Sequence, residues 1–286
     1  MIIPRVYKPS NDEILYHYCD AFAFQAICSY KKMRFSDLFS MNDFMEMHWG
    51  YSIWEKAASE VLKIVGEEFI DEIDKVIHTS GIYGLLIASC YSLDGDVLSQ
   101  WRAYADDGKG YVIGFSAKDL IELPVRPLKV LYEEKQQIEE VKATILALHE
   151  VEKSEKTKFG SDFRRTCFNI AFDLAGYKNP AFAEEREVRL VHLLDFEKSI
   201  DLLKLTDAGG HAFGKQCKGS PVLFRMRENI PIAFTEFDFS NSNNVNPIKE
   251  VIIGPKNQTS STAISIFLET IGIGSVEIKK SKASYR

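Results

Sequence analysis

Four short segments of the 286-residue sequence combine charged, polar and aromatic side chains in patterns that could do chemistry. The first is Glu184-Glu185-Arg186-Glu187-Val188-Arg189-Leu190. Read as a strand, it puts Glu185, Glu187 and Arg189 on one face and Arg186, Val188 and Leu190 on the other. Neighbouring carboxylates raise each other's pKa and cost stability unless a cation, a metal or a ligand offsets them. The same alternation also suits a solvated sheet face. The second segment is Leu15-Tyr16-His17-Tyr18, where the two tyrosines share a face and His17 points the other way. His17 is either a ligand-binding ring or a histidine satisfied by a backbone carbonyl. The third is Ser99-Gln100-Trp101-Arg102-Ala103-Tyr104. Its Trp, Arg and Tyr would line a pocket for an aromatic ring and a phosphate, or else pack, with Arg102 paired to an acid. The fourth, Phe39-Ser40-Met41-Asn42-Asp43 with Glu46 and His48 after it, reads first as a turn and helix cap.

Several common sites are not encoded. The sequence holds no GxxxxGK[ST], no GxGxxG opening a helix after a strand, no GxSxG and no HExxH. Its six histidines are never spaced i,i+4, so no local di-histidine metal site is expected. Five cysteines (19, 28, 90, 167 and 217) form no CxxC pair, and most sit among apolar neighbours as small buried hydrophobes do.

These segments need elements to position them. Residues 14–19 read as a strand, and Asp20 as the N-cap of a helix running to about Lys32. A second short strand follows at Met33–Ser36. Residues 44–76 are helical in pattern, with a break near Gly66, and Gly84–Ser92 is apolar enough for a fully buried central strand. Residues 110–116 and 127–132 read as strands, then about 134–158 and 163–175 as helices, then 187–194 as strand. A glycine-rich loop at 207–220 precedes strands near 222–226, 233–239, 251–254 and 276–279, with a helix at about 260–270. The reading is one α+β domain over 1–286. Its mixed, mostly antiparallel sheet has core strands at about 14–36, 84–132 and 185–282, and helical insertions at about 44–80 and 134–175.

Composition narrows the function classes. With 45% hydrophobic and 27% charged residues the chain is globular rather than fibrous or disordered. The net charge of −6, from 35 basic and 41 acidic residues, argues against a general coat for duplex nucleic acid and against polybasic membrane adsorption. No apolar run is long enough to span a bilayer, and MIIPRVYKPSNDE has no signal-peptide core, so a cytoplasmic protein is expected.

Taken in order, LYHY, RFSDLFSMND, CYSLDGDVLSQWRAYADDGKGYVIGF, EEREVRLV and IKEVIIGP resemble a bacterial family known as domain of unknown function 2971, over about residues 15–282. A weaker resemblance links the order of tyrosine–histidine strand, helix, short strand, aromatic strand and ExE strand to the ADP-ribosyltransferase superfamily. Within it, the chain is most similar to toxin-type enzymes that modify nucleic acids. That resemblance implies an ADP-ribosyltransferase-like α+β fold, NAD as substrate, a nucleic-acid or protein acceptor, no metal, and a role as a toxin or antiphage effector. By position it implies that His17 holds a ribose of NAD and that Tyr91, Ser92, Trp101 and Tyr104 surround the nicotinamide. Arg102 would meet the pyrophosphate, Glu187 the nicotinamide ribose, and Glu185 the acceptor. No Ser-Thr-Ser element accompanies these residues, so the middle positions are assigned by their order along the chain.

Two other readings remain open. A metal-dependent nuclease would gather Asp94, Asp96, Glu185 and Glu187 around Mg²⁺, although Arg189 stands where such centres usually carry lysine. A non-catalytic module would keep the cleft for binding alone.

Overall fold

The β-branched and aromatic run at Ile14–Cys19 forms strand β1, and Asp20 caps helix α1 (Ala21–Tyr30) by accepting the Ala23 N–H at 2.7 Å. Phe24, Ile27 and Cys28 form the buried stripe of α1, and the chain returns at once as β2 (Lys32–Asp37). A computed structural model of the protein describes residues 6–38, 46–80, 84–199, 202–240 and 246–285. The segment Phe39–Asp43 singled out above lies outside them, as does the side chain of Glu46.

Helices α2 (Glu46–Val65) and α3 (Glu67–Thr79) part at Gly66, whose φ of +88° suits a residue without Cβ. Then come β3 (Gly84–Ser92), α4 (Leu98–Tyr104), β4 (Tyr111–Ser116), α5 (Ala117–Leu120) and β5 (Arg126–Lys129). Two helices follow, α6 (Glu134–Ser154) and α7 (Ser161–Leu174), and then the long β6 (Glu187–Ser199). The chain continues through β7 (Leu202–Thr206), β8 (Gly210–Ala212), β9 (Lys215–Cys217), β10 (Leu223–Arg227) and β11 (Ile230–Asp238). It closes with β12 (Ile248–Ile253), α8 (Ser261–Thr270) and β13 (Glu277–Lys280).

Three expectations need correction. Glu185 is not on the strand: it ends a 3₁₀ turn, Pro180–Glu185, and Arg186 follows at φ 44°, so only Glu187 and Arg189 share a strand face. The turn forms because Asn179 caps Ala181 N–H at 2.9 Å and Pro180 lacks the donor a strand would need. The loop at 207–220 contains the β8–β9 hairpin, and β7, which the sequence reading did not separate, pairs along β6.

Among the described residues eleven strands join in one sheet, ordered β10-β11-β2-β3-β1-β4-β12-β13, with β6 branching from β3 and carrying β5 and β7. Every pairing in it is antiparallel except β12 with β13. The fold is therefore α+β with a mixed, mostly antiparallel open sheet. The branching at β3 makes a cleft. One edge of β3 pairs with β6 along its whole length. The other edge meets β2 at Ile87 and Ala88 and β1 at Ser92, so Ser89, Cys90 and Tyr91 have no strand on that side.

The helices build a second apolar cluster beside the sheet. Ile53, Trp54, Ile73, Ile145, Cys167 and Ile170 are among its buried members, and the Trp54 indole donates to Asp74 at 3.0 Å. The sheet has its own core around Leu15, Phe35, Ile113, Phe115 and Val251. No helix among the described residues is long and apolar enough to cross a membrane.

Candidate functional site

The split between β1 and β2 opens a cleft of 780 Å³, roofed by α1 and closed at one end by the 3₁₀ turn before β6. Its lining brings together His17, Tyr91, Ser92, Tyr104, Glu185 and Glu187, which lie up to 170 residues apart (187 − 17). Six of the eight residues singled out from the sequence thus meet in one place.

At its closed end four charges are interlocked. Both Glu187 carboxylate oxygens are engaged by Arg189, at 2.7 and 2.9 Å, and one also receives Lys178 at 3.1 Å. Lys178 reaches the Glu185 carboxylate at 2.5 Å, and the Tyr104 hydroxyl donates to the other Glu185 oxygen at 2.9 Å. Glu187, Arg189 and Lys178 are all buried, with Arg189 only 1% exposed. Burial alone would resist ionisation of Glu187, but the Arg189 and Lys178 charges outweigh it and hold its carboxyl down at about 2. Two carboxylates and two cations leave this end formally neutral, which is what a buried charge cluster requires.

The backbone fixes the cluster. The Ser92 hydroxyl donates to the Glu185 carbonyl at 2.7 Å, and the buried Gln100 amide donates to both Ser92 Oγ and that carbonyl, at 3.0 and 3.1 Å. Lys178 is tied in from the helical side. The Gln137 amide donates to the carbonyls of Leu131 (2.6 Å) and Lys178 (2.9 Å), while its oxygen accepts the Trp49 indole N–H at 3.0 Å. The insertion at 134–175 therefore buttresses the site.

His17 sits on the opposite wall. Its Nδ1 lies 3.1 Å from the Cys90 carbonyl, which can only accept, so Nδ1 carries the proton. Burial lowers its pKa, and the neutral ring keeps Nε2 as a free acceptor. Tyr91 lies 5.6 Å from the His17 ring at an interplanar angle of 53°. The Tyr91 hydroxyl and Ser89 Oγ, two positions apart on β3, are both buried and face each other, with no other partner among the described residues. Tyr16 fits between Gly95 and Gly114, where a Cβ would strike its ring at 2.6 and 3.2 Å.

Trp101 and Arg102 fall outside the cleft lining. Trp101 is fully buried, packs edge-on against Tyr18 at 5.2 Å and donates to Asp96 at 2.7 Å. Arg102 lies over the Tyr285 ring at 5.5 Å. Both follow from α4 being a short helix rather than a strand, which turns Gln100 and Tyr104 toward the cleft and the intervening residues elsewhere.

The sequence reading missed Lys178, Ser89 and three arginines at the open end of the cleft: Arg34, Arg225 and Arg227. For Arg225 and Arg227 a signal was present, since LFRMR alternates basic and apolar residues in a strand pattern. Lys178 carried none, because only the chain reversal after α7 brings it to Glu187.

Among the described residues no three His, Cys, Asp or Glu side chains gather closely enough to hold a metal ion. Of the four carboxylates of the nuclease reading, Asp96 accepts from Trp101, Ser281 and the Lys282 N–H, and Glu185 and Glu187 are already matched by cations.

Comparison with known proteins bears out the first resemblance: residues 100–190 match the family model described as a protein of unknown function, DUF2971. That stretch holds α4 and the Lys178–Glu185–Glu187–Arg189 cluster. No curated protein and no solved structure matches the chain.

Proposed function

We propose that the cleft binds NAD and transfers its ADP-ribose group to an acceptor, as an ADP-ribosyltransferase-like enzyme. One observation carries this reading: elements distant in sequence bring a neutral histidine, a buried tyrosine and a paired-glutamate cluster around one cleft. Cleaving the bond between nicotinamide and ribose sends its electron pair to the nicotinamide nitrogen and builds positive charge on the ribose. A preorganised carboxylate stabilises that charge. Glu187 remains ionised, but its two cations spend most of its field. Glu185 is held by one lysine and one tyrosine at the more open edge. We therefore assign the ribose contact and the acceptor proton to Glu185, and the holding of Lys178 to Glu187.

The rest of the lining suits this substrate. Nε2 of the neutral His17 is an acceptor for a ribose hydroxyl. Tyr91 and Ser89 offer hydroxyls for the carboxamide, and the Tyr91 ring offers an edge for the nicotinamide. The acceptor nucleophile bonds to the ribose carbon and gives its proton to Glu185.

The test is nicotinamide release from NAD by the purified protein, with lysate as acceptor source. Glu185→Gln keeps the size and the Tyr104 contact, and is expected to slow release by roughly 10²–10³-fold. Release that persists in this variant, or no release from the unaltered protein, removes the proposal. Binding of NAD without turnover would instead favour the non-catalytic reading.

A further inference from the structure

One rim of the sheet is an open edge. Among the described residues β10 pairs with β11 alone, in unbroken register from Leu223–Phe234 to Arg227–Ile230, and no strand lies on its other side. Alternate residues of such an edge keep their N–H and C=O outside the sheet's own ladder. All five residues of β10 are exposed. Phe224 and Met226 point to the face away from the cleft and are 60% and 65% exposed. Leu223 and, on β11, Ile230 are exposed as well. A single exposed apolar side chain needs no explanation, but four on one hairpin form a patch. Edge strands commonly discourage pairing with a proline or a bulge, and β10 has neither. The charge in LFRMR is basic, with no acid. Arg225 stands between Phe224 and Met226 and has no carboxylate partner among the described residues.

We infer that β10 is a docking edge for an extended peptide of a partner protein, with an acidic residue between two apolar ones. Added antiparallel to β10, such a peptide continues the ladder. It sets its carboxylate opposite Arg225 and its flanking apolar side chains against Phe224 and Met226. A second copy of this chain fits less well. The antiparallel register that sets Phe224 against Met226 of the copy also sets Arg225 against the copy's own Arg225, and like charges directly opposite are destabilising. The inference goes beyond the transferase reading and does not depend on it, since docking on this edge needs neither NAD nor turnover.

The experiment is binding of a capped synthetic peptide, Thr-Thr-Val-Glu-Val-Thr-Thr, to the full chain, followed by calorimetry. A control peptide carries lysine in place of the glutamate. The glutamate peptide is expected to bind and the lysine peptide to bind at least roughly 10-fold more weakly. Arg225→Glu should reverse that order, and Phe224→Lys, at an exposed position, should weaken both peptides. Of two N-methylated glutamate peptides, one methylated at the glutamate and one at both valines, only one should still bind, because alternate N–H groups face β10. No binding of the glutamate peptide overturns the proposal. So does an affinity that Arg225→Glu leaves unchanged, or one that both N-methylated peptides retain. Self-association of the unaltered chain that Phe224→Lys abolishes would give the edge to a second copy and overturn it as well.

Discussion

The two ends of the cleft solve the problem of charge in opposite ways. At the closed end Glu187, Arg189 and Lys178 are buried, and every charge has a partner within 3.1 Å. At the open end Arg34, Arg225 and Arg227 are solvent-exposed, and Arg34 pairs with Glu236 at 2.9 Å. Burial forbids an uncompensated ion, so the closed end had to neutralise itself with the protein's own residues. Exposure tolerates an excess, because water and salt screen it at little cost. The lesson is that buried charges must bring their own counter-charges, whereas exposed arginines need not.

This contrast can be broken most directly at Arg189. Replacing it by Met takes from buried Glu187 the cation that engages both its oxygens and strands the Ala175 carbonyl that Arg189 also serves at 2.8 Å. Urea unfolding should register a loss of about 3–5 kcal/mol. A loss below about 1 kcal/mol would mean that the cluster is not the rigid element described.

Acid should produce the next largest effect. The Glu187 carboxyl sits at about 2 in the folded protein, below its ordinary 4.5. A carboxylate depressed in this way contributes stability that is fully present above the unfolded value. That contribution is lost as pH falls from about 5 toward 2. Its size is on the order of 3 kcal/mol, and Glu187→Gln should flatten that part of the profile while lowering stability at neutral pH. An unaltered acid profile in the variant would assign the effect to other carboxylates.

Smaller again is Gln100→Leu, which removes the amide bracing Ser92 and the Glu185 carbonyl. A loss of about 1–3 kcal/mol is expected in unfolding experiments. Nicotinamide release should fall with it, since Glu185 loses its brace. Stability without change would show that Ser92 alone sets the turn.

The smallest effect belongs to the open end. Arg225→Gln should alter stability in the absence of ligand by no more than about 0.5 kcal/mol, with a slight gain from relieved repulsion. A large loss there would show that these arginines are structural, and the contrast between the two ends would collapse.

Much of the fold was legible in the residues themselves. β-branched and aromatic residues marked β1, a nearly continuous apolar run marked β3, Asp20 marked the start of α1, and Gly66 marked the break between α2 and α3. The 3₁₀ turn before β6 was hidden because the charged residues Glu184–Glu187 run without a break into the alternating Glu187–Leu190 of the strand. Only Pro180 and the cap at Asn179 end the pattern short of Glu187. Of the site, His17, Tyr104 and both glutamates stood out in local patterns, Tyr91 and Ser92 were named only by position in the resemblance, and all six line the cleft. Trp101 and Arg102 were read with Tyr104 as one pocket-lining segment, and a helical turn sends them elsewhere.

By itself the sequence determined which residues carry charge, which stretches could be strands or helices, and that the glutamates near 185–187 needed a counter-charge. Local propensity and the cost of like charges act over a few residues, so they can be read along the chain. Tertiary structure alone decided who answers those charges. It brought Lys178 to Glu185 and Glu187 through a chain reversal, and set Arg34 beside Arg225 through a sheet register spanning β2, β11 and β10. Electrostatic pairing depends on distance through space and on burial. Neither is a property of a residue's neighbours in sequence.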